Sequence, residues 1–269
     1  MASSLINRYL LGLLGMGIAL CLGCSGQTIE HPEQEFSNTA AAPLYVKSSV
    51  VWPSNTIKVC WENPSASNAT QRMWVRDAVA KTWTAASPVF FTGWSTCDSF
   101  EGGIHIRISD EGPHVKVLGK HLSFIEDGMV LNFTFANWGQ SCQSNLEFCI
   151  RAIAVHEFGH ALGFAHEQNR PDSPSWCDQE QGDNGDWVIG PWDLDSVMNY
   201  CNPSWNGNGQ LSAGDVAGVR AVYGSPPVCG NYVCNYNEDP WTCPTDCYCG
   251  DRVCHTDELS TCEADCGPP

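Results

Sequence analysis

The amino-acid sequence predicts an α+β domain with one β-sheet, extending over residues 46–225. Several short segments alternate apolar and polar residues, as strands do. Other segments place apolar residues three or four positions apart, as helices do. Along the chain the order is strand, helix, several strands, helix, long loop and helix, which is typical of a mixed domain with a single sheet.

The first half of this domain contains most of the predicted strands. Residues 57–62 (IKVCWE) alternate in the manner of a strand, and residues 69–86 have the apolar spacing of a helix. The further predicted strands are residues 88–94, 103–109 and 129–135, with a short edge strand at 115–118.

Two helices are predicted in the second half of the domain. The first extends from about residue 146 to residue 162. The second covers residues 212–223 (SAGDVAGVRAVY), with Ser212 as its N-cap. The long segment between them contains three tryptophans and is expected to form one wall of a cleft; these are Trp176, Trp187 and Trp192.

The amino-terminal region has the pattern of an export signal. Residues 10–23 are an unbroken run of apolar residues and glycine, too short to span a bilayer comfortably, and they predict a signal peptide over residues 1–24. Because a small residue precedes Cys24, the end of the run resembles a bacterial lipoprotein cleavage site. A lipid anchor at Cys24 and ordinary cleavage to a soluble protein both stay open. Residues 25–45 are polar and aperiodic, which predicts a flexible tether or a short pro-segment.

Residues 228–267 differ in composition from the rest of the chain. They are two near-copies, CGNYVCNYNEDPWTCPTDC and CGDRVCHTDELSTCEADC, with almost no aliphatic residues. Such a segment needs disulfides or metal to hold it, and disulfides are favoured because thiolate zinc sites belong mostly to reducing compartments. The acidic side chains leave Ca²⁺ binding open as the alternative to a solvated, disulfide-rich cap.

Charge and cysteine content exclude some function classes. The chain has 30 acidic and 13 basic residues, a net charge of −17, which argues against a nucleic-acid partner because phosphate binding needs clustered Lys and Arg. Its 16 cysteines are typical of an oxidising compartment, so we expect a secreted or cell-envelope protein.

Residues 156–170, HEFGHALGFAHEQNR, contain the candidate metal ligands and a candidate catalytic carboxylate. On a helix the i, i+4 spacing of His156 and His160 places both imidazoles on one face. Gly163 can end that helix in a left-handed conformation, so that His166 turns back to supply a third nitrogen. Three nitrogens and an open position are what a catalytic zinc needs, and Glu157 lies beside the first ligand. The pattern HExxHxxGxxH fixes five positions, so a chance match in a chain of this length has odds of roughly one in ten thousand.

These residues resemble the zinc-binding motif of the metzincin metalloendopeptidases. The sequence is most similar to the astacin type, because HEQNRPD at residues 166–172 is close to HEQxRxD and SVMNY at 196–200 is close to SxMHY. Asn199, where His is usual, and Ser173-Pro174, where Arg-Asp is usual, depart from that pattern. A matrixin-like bacterial relative therefore stays open.

The resemblance implies a metzincin-like zincin fold, with a mixed, mostly parallel, twisted sheet, an active-site helix and a C-terminal helix. It implies a secreted or surface-anchored zinc endopeptidase, expected to be a monomer, that acts on protein or peptide substrates. One Zn²⁺ would be held by His156, His160 and His166. Hydrolysis would use a zinc-activated water with Glu157 as the general base.

The resemblance also implies roles for three residues around this site. Met198 would form an apolar floor below the metal. Tyr200 would be an extra ligand or a donor to the oxyanion, with a core aromatic as the structural alternative. Glu167 matches the residue that pairs with the mature amino terminus in astacins, and a local salt bridge with Arg170 is the prediction here.

Six cysteines lie in the predicted domain, and six allow 15 pairings. The favoured set is Cys142–Cys149 and Cys177–Cys201, with Cys60–Cys97 by elimination. The alternative function is a catalytically inactive or adhesive extracellular binding protein that uses the Cys-rich repeats.

Overall fold

The computed structural model describes residues 44–98 and 100–226. Several predictions lie outside the described residues: the signal peptide with Cys24, most of the tether, and the repeats at 228–267 with their possible calcium sites. Among the helices that are described, none has the length and apolar character needed to cross a membrane.

The described region is built from seven strands and three α-helices. The strands are β1 Leu44–Val46, β2 Thr56–Trp61, β3 Phe90–Thr96, β4 Ile104–Ile108, β5 His114–Val115, β6 Met129–Leu131 and β7 Trp187–Ile189. The helices are α1 Ala69–Val79, which continues as a π-helical turn Ala80–Thr84, α2 Leu146–Ala161 and α3 Ala213–Tyr223. The predicted α+β class is confirmed.

Five strands form the main sheet in the order β3-β2-β4-β6-β5. The pairs β2–β3, β2–β4 and β4–β6 are parallel, and only β5 is antiparallel to its neighbour. The sheet is therefore mostly parallel, as predicted, with an antiparallel edge strand.

The strand predicted at residues 129–135 is shorter in the structure. β6 ends at Leu131, because the side chain of Asn132 captures the chain that follows. Its Oδ1 accepts from the backbone N–H groups of Thr134 at 3.0 Å and Phe135 at 2.8 Å. Local bonds of this kind compete with a strand ladder. The alternation of apolar residues did not reveal the turn, since Phe135 is buried there without being in a strand.

β1 and β7 were not predicted, and β1 overlaps the end of the predicted tether. All three residues of β1 are buried, and they pair antiparallel with β7. On its other side, Tyr45 O accepts from Ala165 N at 2.7 Å, and Lys47 N donates to Gly163 O at 2.9 Å. Residues 44 and 45 therefore take part in the structure of the domain, and β1 joins the turn after α2 to the long loop.

Helix α2 lies at the centre of the core. Twelve of its 16 residues are buried, which is typical of a helix enclosed on all sides. The indole N–H of the fully buried Trp83 donates to Val155 O at 2.8 Å and links the continuation of α1 to α2. Phe158 meets Phe91 of β3 edge to face, with ring centroids 4.9 Å apart. His156, Glu157 and His160, the buried polar residues of this helix, are consequently held in a low-dielectric environment.

The predicted N-cap and disulfides are confirmed. Asp215 N donates to Ser212 Oγ at 2.9 Å, and Ser212 N donates to Asp215 Oδ2 at 3.0 Å, which makes a reciprocal capping box for α3. The disulfides join Cys60 to Cys97, Cys142 to Cys149 and Cys177 to Cys201.

Candidate metal and catalytic site

The three histidines of the motif meet at one point. His156 and His160 lie on one face of α2, and Gly163, at φ 96°, ends the helix and turns the chain back. His166 Nε2 then lies 3.2 Å from His156 Nε2 and 3.1 Å from His160 Nε2. All three side chains are at least nine-tenths buried. The predicted ligand set is thus brought together by one helix and one turn.

The other ring nitrogen of each histidine is held by a backbone carbonyl. His156 Nδ1 is 2.8 Å from Val197 O, and His160 Nδ1 is 2.7 Å from Phe164 O. His166 Nδ1 is 2.8 Å from Gln181 O. A carbonyl only accepts, so each Nδ1 carries the proton and each neutral ring presents a lone pair at Nε2.

Burial keeps these rings neutral. It lowers the pKa of His156 to about 3, holds the pKa of His160 well below its ordinary value, and lowers the pKa of His166. Three lone pairs that face one another cannot hydrogen-bond among themselves. They suit a cation, and nitrogens 2.0–2.1 Å from a tetrahedral zinc ion would be about 3.3 Å apart, close to the observed separations. The residues present therefore fit zinc.

A second group of potential ligands comprises Cys60, Cys97 and His105. The two cysteines are joined as a disulfide. Both ring nitrogens of His105 are engaged, at 2.7 Å from Glu62 Oε1 and 2.7 Å from Glu101 O. This group has no thiolate to offer a metal.

Glu157 lies beside the histidines with part of its carboxylate unsatisfied. The residue is 5% exposed, and its buried Oε2 has no hydrogen-bond partner. Burial raises the pKa of Glu157 to about 8. A buried, unpaired carboxylate oxygen is costly and is typical of a functional position, where it can accept a proton.

Met198 and Tyr200, both near the histidine cluster, differ in exposure. Met198 is fully buried against Gly159 of α2, where a Cβ would collide with its sulfur and with Trp83. Tyr200 is 49% exposed, and its ring centroid is 4.3 Å from that of His166 and 5.4 Å from that of His156. Burial and the charge of Glu157 raise the pKa of Tyr200 to about 12, so its hydroxyl keeps its proton at neutral pH.

Two hollows of about 330 Å³ each flank Glu157 and Tyr200. One follows the edge strand β5, and the other is bounded by Ile153 of α2, Trp138 and Trp205. Gln181 of the long loop lines both, so that loop does form a wall as predicted.

The three tryptophans of that loop do not line either hollow. Trp176 packs edge to face on Trp192, with centroids 5.5 Å apart. No pattern in the sequence predicted Trp138 and Trp205 at the site, because their positions there depend on distant packing. The one signal for Trp205 is the Asn-Gly-Asn-Gly run after it, because residues 206–209 all have positive φ, which Asn and Gly tolerate best.

The predicted salt bridge after the third histidine is confirmed. Arg170 Nη1 lies 3.1 Å from Glu167 Oε1, and both side chains are fully buried. Arg170 also donates to Asp172 at 2.8 Å and to Ile189 O at 3.0 Å. Burial raises the pKa of Glu167 to about 8, and the Arg170 guanidinium opposes that rise.

Comparison with known proteins finds a family that is similar to the chain around this site. The model of the Astacin peptidase family matches residues 136–183, which include α2, the three histidines and Glu157. Residues 136–183 are thus similar to the astacin-type metzincins. Astacin-type enzymes are zinc metallopeptidases, and the relatives with similar sequences are named as zinc metalloproteinases.

The relatives are similar to this chain over part of their length. The zinc metalloproteinases nas-36 of Caenorhabditis briggsae and Caenorhabditis elegans are each 31% identical over 121 residues, covering 39% of this chain and 18% of the relative. The nas-36 protein of Haemonchus contortus is 38% identical over 79 residues, covering 24% of this chain and 13% of the relative. The chain thus spans less than a fifth of the length of these relatives.

Two solved structures align with about two thirds of this chain. Myroilysin is 19% identical with a TM-score of 0.49, covering 66% of this chain and 97% of its own. The hatching enzyme HCE-1 from Oryzias latipes is 16% identical with a TM-score of 0.44, covering 68% of this chain and 99% of its own.

Proposed function

We propose that this protein is a zinc-dependent endopeptidase that hydrolyses peptide bonds in protein or peptide substrates. The observation that carries the proposal is the convergence of three unprotonated Nε2 atoms beside Glu157, whose Oε2 is buried without a partner. The astacin-type segment at residues 136–183 supports the same activity.

His156, His160 and His166 would hold one zinc ion. When bound, zinc supplies a Lewis acid that polarises a substrate carbonyl and lowers the pKa of a coordinated water to about 7. The backbone carbonyls that accept from each Nδ1 keep the rings in the required tautomer and orientation.

Glu157 is the general base of the proposed reaction. Its Oε2 takes a proton from the attacking water, and the carboxyl group then returns that proton to the leaving amine nitrogen. Tyr200 keeps its hydroxyl proton and donates a hydrogen bond to the carbonyl oxygen as that oxygen gains negative charge. Met198, buried under α2, closes the site from below and excludes water.

The proposal includes a secreted or cell-envelope location and a monomeric chain. The three disulfides of the described domain fit an oxidising compartment. A signal peptide over residues 1–24, with a lipid anchor at Cys24 as one form of it, agrees with that location. We also propose that the peptidase domain ends near residue 225 and that the repeats at 228–267 follow it.

Zinc content and proteolysis test the function. The purified chain is expected to contain about one zinc and to cleave casein or gelatin, and phenanthroline is expected to abolish cleavage while serine-protease inhibitors do not. Active protein without zinc would contradict the proposal. A zinc-containing chain that cleaves nothing would favour the inactive or adhesive alternative.

The variant Glu157→Gln tests the role of Glu157 separately from zinc binding. It keeps the shape of the side chain and leaves the three histidines intact, so zinc content is expected to stay near one per chain. Turnover is expected to fall by roughly 10²–10⁴-fold, because a positioned acid–base group is lost. Cleavage of a fluorogenic peptide within a factor of two of the wild type would show that Glu157 is not the base.

A further inference from the structure

The third histidine is held differently from the other two. His156 and His160 project from the same helix, whose backbone fixes their spacing. His166 follows the turn at Gly163 and has extended backbone angles, φ −63° and ψ 138°. The hydrogen bond from its Nδ1 to Gln181 O, at 2.8 Å, therefore has to orient the ring.

Gln181 belongs to a segment with little support of its own. Residues 178–185 form neither helix nor strand, and residues 178–184 are exposed. A carbonyl in such a loop is a poor anchor unless another group fixes its position. The salt bridge between Lys47 and Asp183, at 3.1 Å, ties down the loop but does not touch the Gln181 peptide.

The side-chain amide of Asn169 hydrogen-bonds to both the backbone C=O and the backbone N–H of Gln181. Asn169 Nδ2 donates to Gln181 O at 2.8 Å, and Gln181 N donates to Asn169 Oδ1 at 2.9 Å. The second hydrogen on Nδ2 points to Asn184 Oδ1 at 2.9 Å. The opposite amide orientation would set Nδ2 against the Gln181 N–H, so this network permits only one assignment.

Asn169 is itself rigidly placed. It is 3% exposed, and it ends the short 3₁₀ turn Glu167–Asn169 that begins directly after His166. Its neighbour Arg170 is anchored to Ile189 O and Asp172. A buried, fully bonded amide thus sets the position of a carbonyl in an exposed loop, and that carbonyl has both lone pairs used, by Asn169 and by His166.

We propose that Asn169 is the positioning residue for the third zinc ligand: its amide fixes the Gln181 carbonyl, which in turn fixes the tautomer and ring orientation of His166. This inference rests on the zinc site of the proposed function. Groups that orient a metal-binding histidine in this way contribute about 10–100-fold to metal affinity. Asn169 lies between the positions of the HEQxRxD pattern, so the motif itself assigns it no role.

Zinc affinity of the metal-free protein tests the proposal without reference to activity. Asn169→Asp keeps the shape of the side chain, removes both donors and sets a carboxylate oxygen against Gln181 O. We expect zinc affinity, measured by competition with a chromophoric chelator, to fall by about 10–100-fold. The visible absorption of the cobalt-substituted protein should also shift, since it reports the geometry of the ligands.

Lys47→Ala is the matched control, because it loosens the same loop without touching the Gln181 peptide. It is expected to leave zinc affinity within about threefold of the wild type. Should Asn169→Asp fail to fold, as judged by the melting temperature of the metal-free protein, Asn169→Ser removes the same donors with no charge.

Three outcomes would overturn the inference: unchanged zinc affinity in the Asn169 variant, an unchanged cobalt spectrum, or equal losses in the Asn169 and Lys47 variants. A wild-type chain that binds no zinc would instead overturn the proposed function.

Discussion

At the scale of single residues, burial decides which protonation state each side chain in the cleft adopts. It lowers the pKa of His156 and raises the pKa of Tyr200. Neutral imidazoles offer lone pairs to a metal, and a protonated phenol offers a hydrogen-bond donor. The same desolvation therefore prepares a cation site and a donor on one side of it.

Tyr200→Phe removes that donor and keeps the ring against His166. Zinc content is expected to be unchanged, and kcat is expected to fall by about 10²-fold, more than KM rises, because the hydrogen bond strengthens only as the carbonyl oxygen gains charge. Steady-state kinetics on a fluorogenic peptide measure both constants. An unchanged kcat would leave Tyr200 with a structural role only.

At the scale of elements, the cap of α3 supports the first histidine. Asp215 is fully buried and accepts from Ser196 Oγ at 2.6 Å and from Val197 N at 2.8 Å, in addition to capping its own helix. Val197 O in turn accepts from His156 Nδ1. The pattern S-x-x-D at residues 212–215 is a sequence signal for the cap, but it does not reveal the link to Val197.

The variant Asp215→Asn tests how much the hydrogen bonds accepted by Asp215 stabilise the domain. An amide cannot accept at its nitrogen, so one buried donor loses its partner, and the free energy of unfolding is expected to fall by about 2 kcal/mol. Urea denaturation of the metal-free protein at pH 7 measures the change. Asp195→Asn, the same change at an exposed residue, is the control and should lie within about 0.5 kcal/mol of the wild type.

The Cys177–Cys201 disulfide encloses the loop that contains Gln181. Its two cysteines are 24 residues apart, and closing a loop of that length stabilises a fold by about 3 kcal/mol in the chain-entropy account. Cys177→Ala with Cys201→Ala is expected to lower the free energy of unfolding by that amount. Loss of the Cys142–Cys149 bridge, only seven residues apart, should cost less. The reverse order would argue against loop closure as the cause.

At the scale of the whole molecule, the described domain contains both partners of each of its disulfides and all the residues assigned to the zinc site. The six cysteines between residues 60 and 201 pair among themselves, so none is left to bond with the repeats at 228–267. All residues assigned to the zinc site lie before α3. The sequence Gly-Ser-Pro-Pro at 224–227 has the composition of an extended linker.

We expect residues 25–225 alone to fold, bind about one zinc and cleave a small unstructured peptide at near the full-length rate. Any loss should be confined to large or surface-bound substrates, on which the repeats would act as an anchor. Peptide and gelatin assays on both chains separate the two effects. Failure of the shortened chain to fold would contradict a two-module organisation.

Much of the described fold could be predicted because its signals are local. Helical spacing predicted α1, the N-cap Ser212 marked the start of α3, alternation predicted β2, and one pattern of eleven residues placed the three histidines and Glu157. The errors occurred where a side chain competed with the backbone, as Asn132 does after β6, or where a three-residue strand such as β1 is too short to show a period.

What the sequence determined by itself is the identity and spacing of the chemically active side chains, since helix geometry and a helix-ending glycine suffice to bring them together. Only the tertiary structure decided which groups hold these side chains in position. The carbonyls of Val197, Phe164 and Gln181 orient the rings, and backbone groups have no residue-type signal. Asn169, likewise, acts through a loop twelve residues away. Such contacts depend on how distant segments pack, and packing is a property of the whole chain.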